Sequence, residues 1–460
     1  MTRGRQSFNP SAGRIASVGC RRFPMDSSKP LDQQTIFRTW LPLAASWLLM
    51  GAELPLLSAV VARLADPDIH LAAYSGIVFP LALVIESPII MLLTASTALS
   101  RNARAYKKMW RMMTWMSVVL TVVHVAIAFT PIYDFIAQQI LNVPKDIIEP
   151  GRIGLQIMTP WTWAIAHRRF NQGVLIRFGQ SAAVGWGTAM RLVADVVILG
   201  IGFALHEVAG IVVATAAVAA GVLAEAAYIR WKVQAVIAGP LREAKGPAIT
   251  QREVILFYLP IAFAPTIGLL GQPMLTGAMS RMDAPMLTLA VWPTVNSLIF
   301  MLRAAGIAYT EVVVALLDRP NGLRQLRRFT VWLSLGLSVP LLILCTTPLI
   351  DIWFDRFIGL RSELAALGKS ALWFALLLPP ITAWACYFEG LLIHHKRSGA
   401  VTQAVVFFIV TLLGFLFFAV QSQSMPGLNA AVCAMTLGGV AQTLWLWRRS
   451  HGIALEYLAE

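Results

Sequence analysis

The sequence predicts an all-α polytopic membrane protein, with about twelve transmembrane helices arranged as two parallel six-helix repeats. Three observations carry this. The first is composition: of 460 residues, 57% are hydrophobic and 13% charged, against about 45–50% and about 25% in soluble domains. The mean hydropathy of +0.68 spreads that excess over the whole chain. The second is the form of the apolar runs, which are continuous and about 20 residues or longer, the length that crosses a bilayer as helix. Strands of a membrane barrel would alternate apolar with polar instead. The third is an internal repeat at a constant spacing of 218 residues. Secreted disulfide scaffolds and disordered chains are excluded by the same composition.

The elements follow in order. Residues 1–35 read as a basic, disordered tail with no apolar stretch, so they are not a secretory signal. Both Met1 and Met25 are open as the start of translation. Spans are expected at roughly 38–63, 71–99, 112–131, 150–176, 181–204 and 208–230 in a first lobe, residues 36–235. A polar linker with Gly and Pro occupies 236–251. The second lobe, 252–448, holds spans at roughly 254–279, 285–317, 329–350, 369–393, 399–420 and 428–447, and 449–460 reads as a tail.

The repeat is carried by polar, Pro and Gly positions. Leu41-Pro42 recurs as Leu259-Pro260, Pro55 as Pro273, Arg63 as Arg281, Pro67 as Pro285 and Arg101 as Arg319. With the spacing reduced to 217, Phe170-Asn-Gln-Gly173 matches Tyr387-Phe-Glu-Gly390. Six spans per lobe give both lobes one orientation, and such halves meet at a midplane cavity and rock against each other.

Charge sets the orientation. Lys plus Arg is 37 and Asp plus Glu is 23, a balance that in a soluble chain would suggest nucleic acid. Here the basic residues fall in every second loop, the positive-inside pattern, so both termini are expected in the cytoplasm and no nucleic-acid partner is expected. Cys20, Cys345, Cys386 and Cys433 show no ligand spacing, and no metal is expected. There is no P-loop, HExxH or nucleophile motif, so the chain does not read as an enzyme.

Charges within spans cost at least about 2.5–3.5 kcal/mol each and must face a partner or water. Arg303, Arg168 and Arg169 are the candidate solute-binding cations, with Asn296 and Gln172 as polar lining. Glu53, Glu86, Glu311 and Glu389 are the candidate coupling or gating carboxylates. Arg191 and Asp195, four apart on one helix face, are expected to pair locally. Glu225 is expected to reach water at the cytoplasmic end, and Arg168 and Arg169 are close enough to that surface to snorkel. His124 and His167 are expected to satisfy local hydrogen bonds. Guanidinium groups at least as numerous as unpaired carboxylates favour an anionic solute, because Arg presents a fork to carboxylate or phosphate.

Two six-helix repeats with the Gly173-to-Arg177 and Gly390-to-Arg397 turns resemble the multidrug/oligosaccharidyl-lipid/polysaccharide (MOP) flippase superfamily, whose MATE-like members are V-shaped bundles. Within it, several stretches resemble the progressive ankylosis (ANK) family. They are Leu41-Pro42 with Gly51-Ala-Glu53, Thr97-Ala-Leu-Ser-Arg101-Asn, Trp163 to Ser181, Trp292-Pro293-Thr-Val295 with Thr310-Glu311, and Pro379-Pro380-Ile-Thr. The long acidic tail of animal members is absent, and the Arg168-Arg169 pair has no clear counterpart there. The resemblance implies alternating-access export of small anions such as pyrophosphate, citrate or nucleotides, with Glu53, Arg303 and Glu311 in matching stretches. It implies no cofactor beyond a coupling H⁺ or Na⁺, a monomer in the plasma membrane, and the lipid bilayer as partner. The alternatives are a flippase for a lipid-linked, phosphate-bearing saccharide and a MATE-type cation or drug antiporter.

Overall fold

The computed structural model describes residues 30–178, 180–244, 249–395 and 397–459. The basic stretch 1–29 with Cys20, part of the linker, and Lys396 lie outside the described residues. The fold is all helix. Twelve long helical bodies follow one another: α1 (Gln33–Val61), α2 (Pro67–Leu99), α3 (Ala103–Phe129), α4 (Ile148–Ile157 continuing as Thr159–Arg177), α5 (Ser181–Leu205) and α6 (Gly210–Ala238). Then come α7 (Gln251–Leu269 continuing as Gly271–Met279), α8 (Pro285–Leu316), α9 (Gly322–Thr346), α10 (Ser362–His394), α11 (Ser398–Ser422) and α12 (Gly427–Ala459). Among the described residues, ten are long and apolar enough to cross a membrane; α4 and α7 are the other two. In α4 the reason is its cargo of Arg152, His167, Arg168, Arg169 and Arg177. Helix α6 runs to Ala238, into the segment expected as linker, and α12 runs on through the segment expected as a C-terminal tail.

Local chemistry sets the ends. Asp32 caps α1 by accepting from the Thr35 N–H at 2.9 Å, and Asn102 caps α3 by accepting from the Arg104 and Ala105 N–H groups. Thr250 and Glu253 form a reciprocal capping box at α7. Pro67 and Pro285 occupy the first turns of α2 and α8, where a missing N–H costs nothing.

The repeat is visible in the breaks. Helix α1 is interrupted at Ala52, three residues before Pro55, and α7 at Leu270, three before Pro273. Each proline removes one helical hydrogen bond and crowds the carbonyl four residues back. Six of the seven left-handed residues among the described residues also pair across the repeat: Asp66 with Ala284, Asn142 with Gly359, and His206 with Gln423. Gly173 and Gly390 mark corresponding tight helix crossings in the two lobes. A Cβ on Gly173 would collide with the α2 backbone at Leu93 and Thr97, and one on Gly390 would meet Val313 at 2.6 Å and the Thr310 carbonyl at 3.1 Å. Close approach through a small residue is how membrane helices gain packing contact.

The lobes exchange their leading segments. The first half of α1 packs chiefly on α8 and α9 of the second lobe, and the first half of α7 lies against α2 and α3 of the first. The Trp40 indole N–H donates to the Ala305 carbonyl at 2.8 Å. Its repeat partner, Tyr258, donates to the Pro88 carbonyl. Chain order places α1 within the first lobe, whereas in space its leading half rests on the second. At the face away from the chain ends, here the far face, α2 and α8 meet. Ser75 Oγ donates to the Leu289 carbonyl at 2.6 Å in a buried contact.

Candidate functional site: a charged cavity between the lobes

A cavity of about 450 Å³ lies between the lobes, bounded by α1, α2, α4, α5 and α6 on one side and α7, α8 and α12 on the other. Its walls are largely apolar and aromatic, including Trp47, Tyr74, Phe79, Trp161 and Phe300. Seven charged residues line it: Glu53, Glu86, Arg168, Arg169, Arg191, Asp195 and Arg303. Six of these belong to the first lobe; Arg303 is the second lobe's single contribution.

These charges divide into paired and unpaired. Arg168 Nη1 donates to Glu225 Oε2 at 2.5 Å, with side chains only 6% and 1% exposed. Gln172 Nε2 donates to the other oxygen, Glu225 Oε1, at 2.9 Å. This corrects three expectations. Arg168 does not snorkel, Glu225 does not reach water, and Gln172 supports this pair from behind and does not line the cavity. Arg191 Nη2 donates to both oxygens of Glu53, at 2.7 and 2.5 Å. Its local neighbour Asp195 is 4.0 Å from Arg191 Nε, and no hydrogen bond joins them. The ion pair expected from spacing four is therefore present at its outer limit, while the hydrogen bonds of Arg191 go to Glu53 on another helix.

Three charged side chains, Glu86, Arg169 and Arg303, have no ion-pair partner among the described residues, and Asp195 has only its 4.0 Å contact with Arg191. Neither oxygen of buried Asp195 accepts a hydrogen bond. It is wedged against α6, where a Cβ on Gly221 would overlap its carboxylate. Glu86 Oε2 is buried without a donor, and Arg169 Nε without an acceptor. Arg303 Nε donates only to the hydroxyl of Thr382, at 2.8 Å. A carboxyl can lose its charge by taking up a proton, whereas a guanidinium stays charged at any physiological pH. The unpaired set is therefore most easily left net positive.

Asn296 lines the cavity beside Arg303. Glu311 and Glu389 do not line it: Glu311 is exposed on α8 beyond the cavity, and Glu389 sits on α10 next to the Gly390 crossing. Sequence reasoning placed Arg191, Asp195 and Glu225 in local or solvated roles and so missed them as members of the site. His124 satisfies local bonds as expected, to Thr162 Oγ1 at 2.8 Å and the Leu155 carbonyl at 2.9 Å. His167 packs among rings, its centroid 4.3 Å from that of Trp163. No group of three or more potential metal ligands occurs among the described residues.

No protein-family model matches the chain, and neither does any curated protein. Solved structures do match over nearly its whole length. An inward-facing multidrug resistance MATE family transporter of the MOP superfamily aligns at TM-score 0.68 and 13% identity, covering 92% of this chain and 99% of the other. The lipid II flippase MurJ, in an inward closed conformation, aligns at TM-score 0.69 and 14% identity, covering 89% and 87%. A MOP superfamily transporter from Pyrococcus furiosus, described as having a binding pocket of reverse polarity, aligns at 0.61 and 13%, covering 93% and 99%. The chain therefore shares the fold of these structures, an all-helical multi-pass membrane bundle. The likeness includes MATE proteins and MurJ; the progressive ankylosis family stays a resemblance of sequence.

Proposed function

We propose that the chain is a secondary transporter that moves a small anionic solute out of the cell by alternating access. The observation that supports it is the pair Arg169 and Arg303, which line one cavity from opposite lobes without an ion-pair partner among the described residues. An anion bound between them would join the lobes, and its release would let them part. The aromatic and aliphatic walls favour an organic acid with an apolar body over a compact, fully hydrated ion such as pyrophosphate. A volume of about 450 Å³ falls within the usual range for small-molecule sites, about 300–1,000 Å³. Glu86 and Asp195, neither carboxylate of which is fully hydrogen-bonded beside the arginines, are the groups that would take up the coupling H⁺ or Na⁺. The termini would lie in the cytoplasm and the chain in the plasma membrane, as the loop charges suggest.

The test is uptake into inside-out vesicles of labelled citrate, pyrophosphate and an aromatic carboxylate, with Arg303→Ala and Arg169→Ala beside the wild type. Saturable carboxylate uptake lost in both variants supports the reading. Normal uptake of every anion by Arg303→Ala removes that residue from it.

A second reading, a flippase for a lipid-linked phosphate-bearing saccharide, is favoured by the MurJ-like fold and the apolar walls. Accumulated lipid-linked precursor in a deletion strain would select it. A cation or drug antiporter would use Glu86 and Asp195 alone, and the two cavity arginines without an ion-pair partner, Arg169 and Arg303, oppose it by repulsion.

A further inference from the structure

Two arginines at the far face make the same contact in opposite directions. Arg63 lies in the turn just after the second half of α1. Its guanidinium donates to the carbonyl of Ala59 in its own helix at 2.6 Å, and then across the lobe boundary to Ile358 at 2.8 Å and Arg356 at 2.6 Å. Arg281, its repeat partner at the end of α7, donates to Gly277 in its own helix at 2.6 Å. It then crosses to Leu141 at 3.1 Å, Ile140 at 2.8 Å and Gln139 at 3.5 Å in the first lobe.

The acceptors correspond as well. Each set ends a wide helical turn, Phe135–Ile140 in one lobe and Ile352–Ile358 in the other. Each turn is stopped by a left-handed residue, Asn142 at φ 55° and Gly359 at φ 83°. The last carbonyls of a helix have no backbone partner and carry partial negative charge. A guanidinium, with five donors in a fixed fork, meets several of them at once. At Gly359 the approach is so close that a Cβ would lie 3.2 Å from the Arg63 guanidinium.

We propose that Arg63 and Arg281 form a paired gate that holds the far face shut, and that both clasps must release for the cavity to open there. Each arginine is fixed to its own lobe by its helix and to the other lobe by two or three carbonyls. No rocking motion can part the lobes at this face while either holds. The acceptors are main-chain atoms, so side-chain variation in the receiving turn does not weaken the clasp. The gate rests on the alternating-access reading but not on the identity of the solute.

The test is a distance measurement that needs no substrate. Spin labels are placed at Asp146→Cys and Glu363→Cys, exposed far-face positions on opposite lobes, in the full chain reconstituted in lipid. The inter-label distance distribution is then recorded by pulsed resonance. With both clasps intact a short distance dominates. The double variant Arg63→Gln/Arg281→Gln is expected to raise the long-distance population about tenfold, as loss of ~1.4 kcal/mol of closed-state preference would, and each single variant to raise it less. Gly359→Ala crowds the Arg63 guanidinium and strains a left-handed position while keeping the arginine, and is expected to raise the long-distance population less than Arg63→Gln does. Should the double variant fail to fold, the single variants and Gly359→Ala carry the comparison. Unchanged distributions in folded variants overturn the gate and leave two static caps. Loss of transport with unchanged distances would count against the gate alone, whereas far-face opening without anion transport would count against the anion reading alone.

Discussion

Arg168 and Glu225, 57 residues apart, meet at 2.5 Å with both side chains almost wholly buried, and the second carboxylate oxygen is taken by Gln172. A guanidinium that lines a cavity and is already neutralised is scaffolding for the site more than a receiver of solute. Breaking a buried pair from one side costs about 3–5 kcal/mol, whereas replacing both partners with apolar residues is often neutral. Glu225→Ala is therefore expected to lower the melting temperature of the detergent-solubilised protein markedly, and Arg168→Met/Glu225→Leu to restore most of it. A double variant that melts no higher than the single one would show that the pair is not a closed unit.

Arg303 should behave in the opposite way. It has a hydroxyl for a partner and no carboxylate within ion-pair reach among the described residues. Arg303→Ala removes an uncompensated charge, so thermal stability is expected to hold or rise while affinity for the transported anion falls at least tenfold. Arg303→Lys keeps the charge but loses the fork and should fall between the two. Melting curves and equilibrium binding on the same preparations separate fold from affinity.

Protons and solute should bind together. A bound anion between Arg169 and Arg303 lies in the cavity that Glu86 and Asp195 also line, and repels their negative charge. Binding is then linked to proton uptake, and affinity falls as pH rises. Calorimetry in two buffers of different ionisation enthalpy measures the protons taken up. In Glu86→Gln/Asp195→Asn the uptake is expected to vanish and affinity to become flat with pH; uptake that persists there would locate the protons elsewhere.

Gly173→Val and Gly390→Val should each damage the bundle more than they damage the site. Each would force a side chain into the crossing helix, at Leu93 and Thr97 or at Val313 and Thr310. Both are expected to reduce the yield of monodisperse protein. Gly185→Val, where a Cβ meets nothing within 4 Å, is the matched control expected to leave yield unchanged.

The framework was readable because repetition writes it twice. Pro55 and Pro273, Arg63 and Arg281, and Gly173 and Gly390 recur at nearly constant spacing, and each pair performs one structural task in both lobes. The Arg191–Asp195 contact was readable from spacing four, but the stronger pairing was not, since Glu53 and Arg191 are 138 residues apart. One signal did lie in the sequence. The positions that repeat Glu53, Arg169, Arg191 and Asp195 hold Gly271, Cys386, Phe408 and Leu412. Where a duplicated scaffold keeps its turns and loses its charges in one copy, the charges belong to the task and not to the scaffold. Glu311 and Glu389 illustrate the converse: buried-looking carboxylates in spans that line other surfaces of the bundle.

The exchange of leading segments bears on how the chain is made. While ribosomes are still extending it, α2 and α3 enter the bilayer before the first half of α7 exists to cover them, and α1 waits for a berth on α8. The two halves cannot mature one after the other as finished units; assembly completes only when the later six helices arrive and the two strands of the exchange are tied. Fragments severed within the connecting segment would thus be orphans singly and could be rescued by co-synthesis.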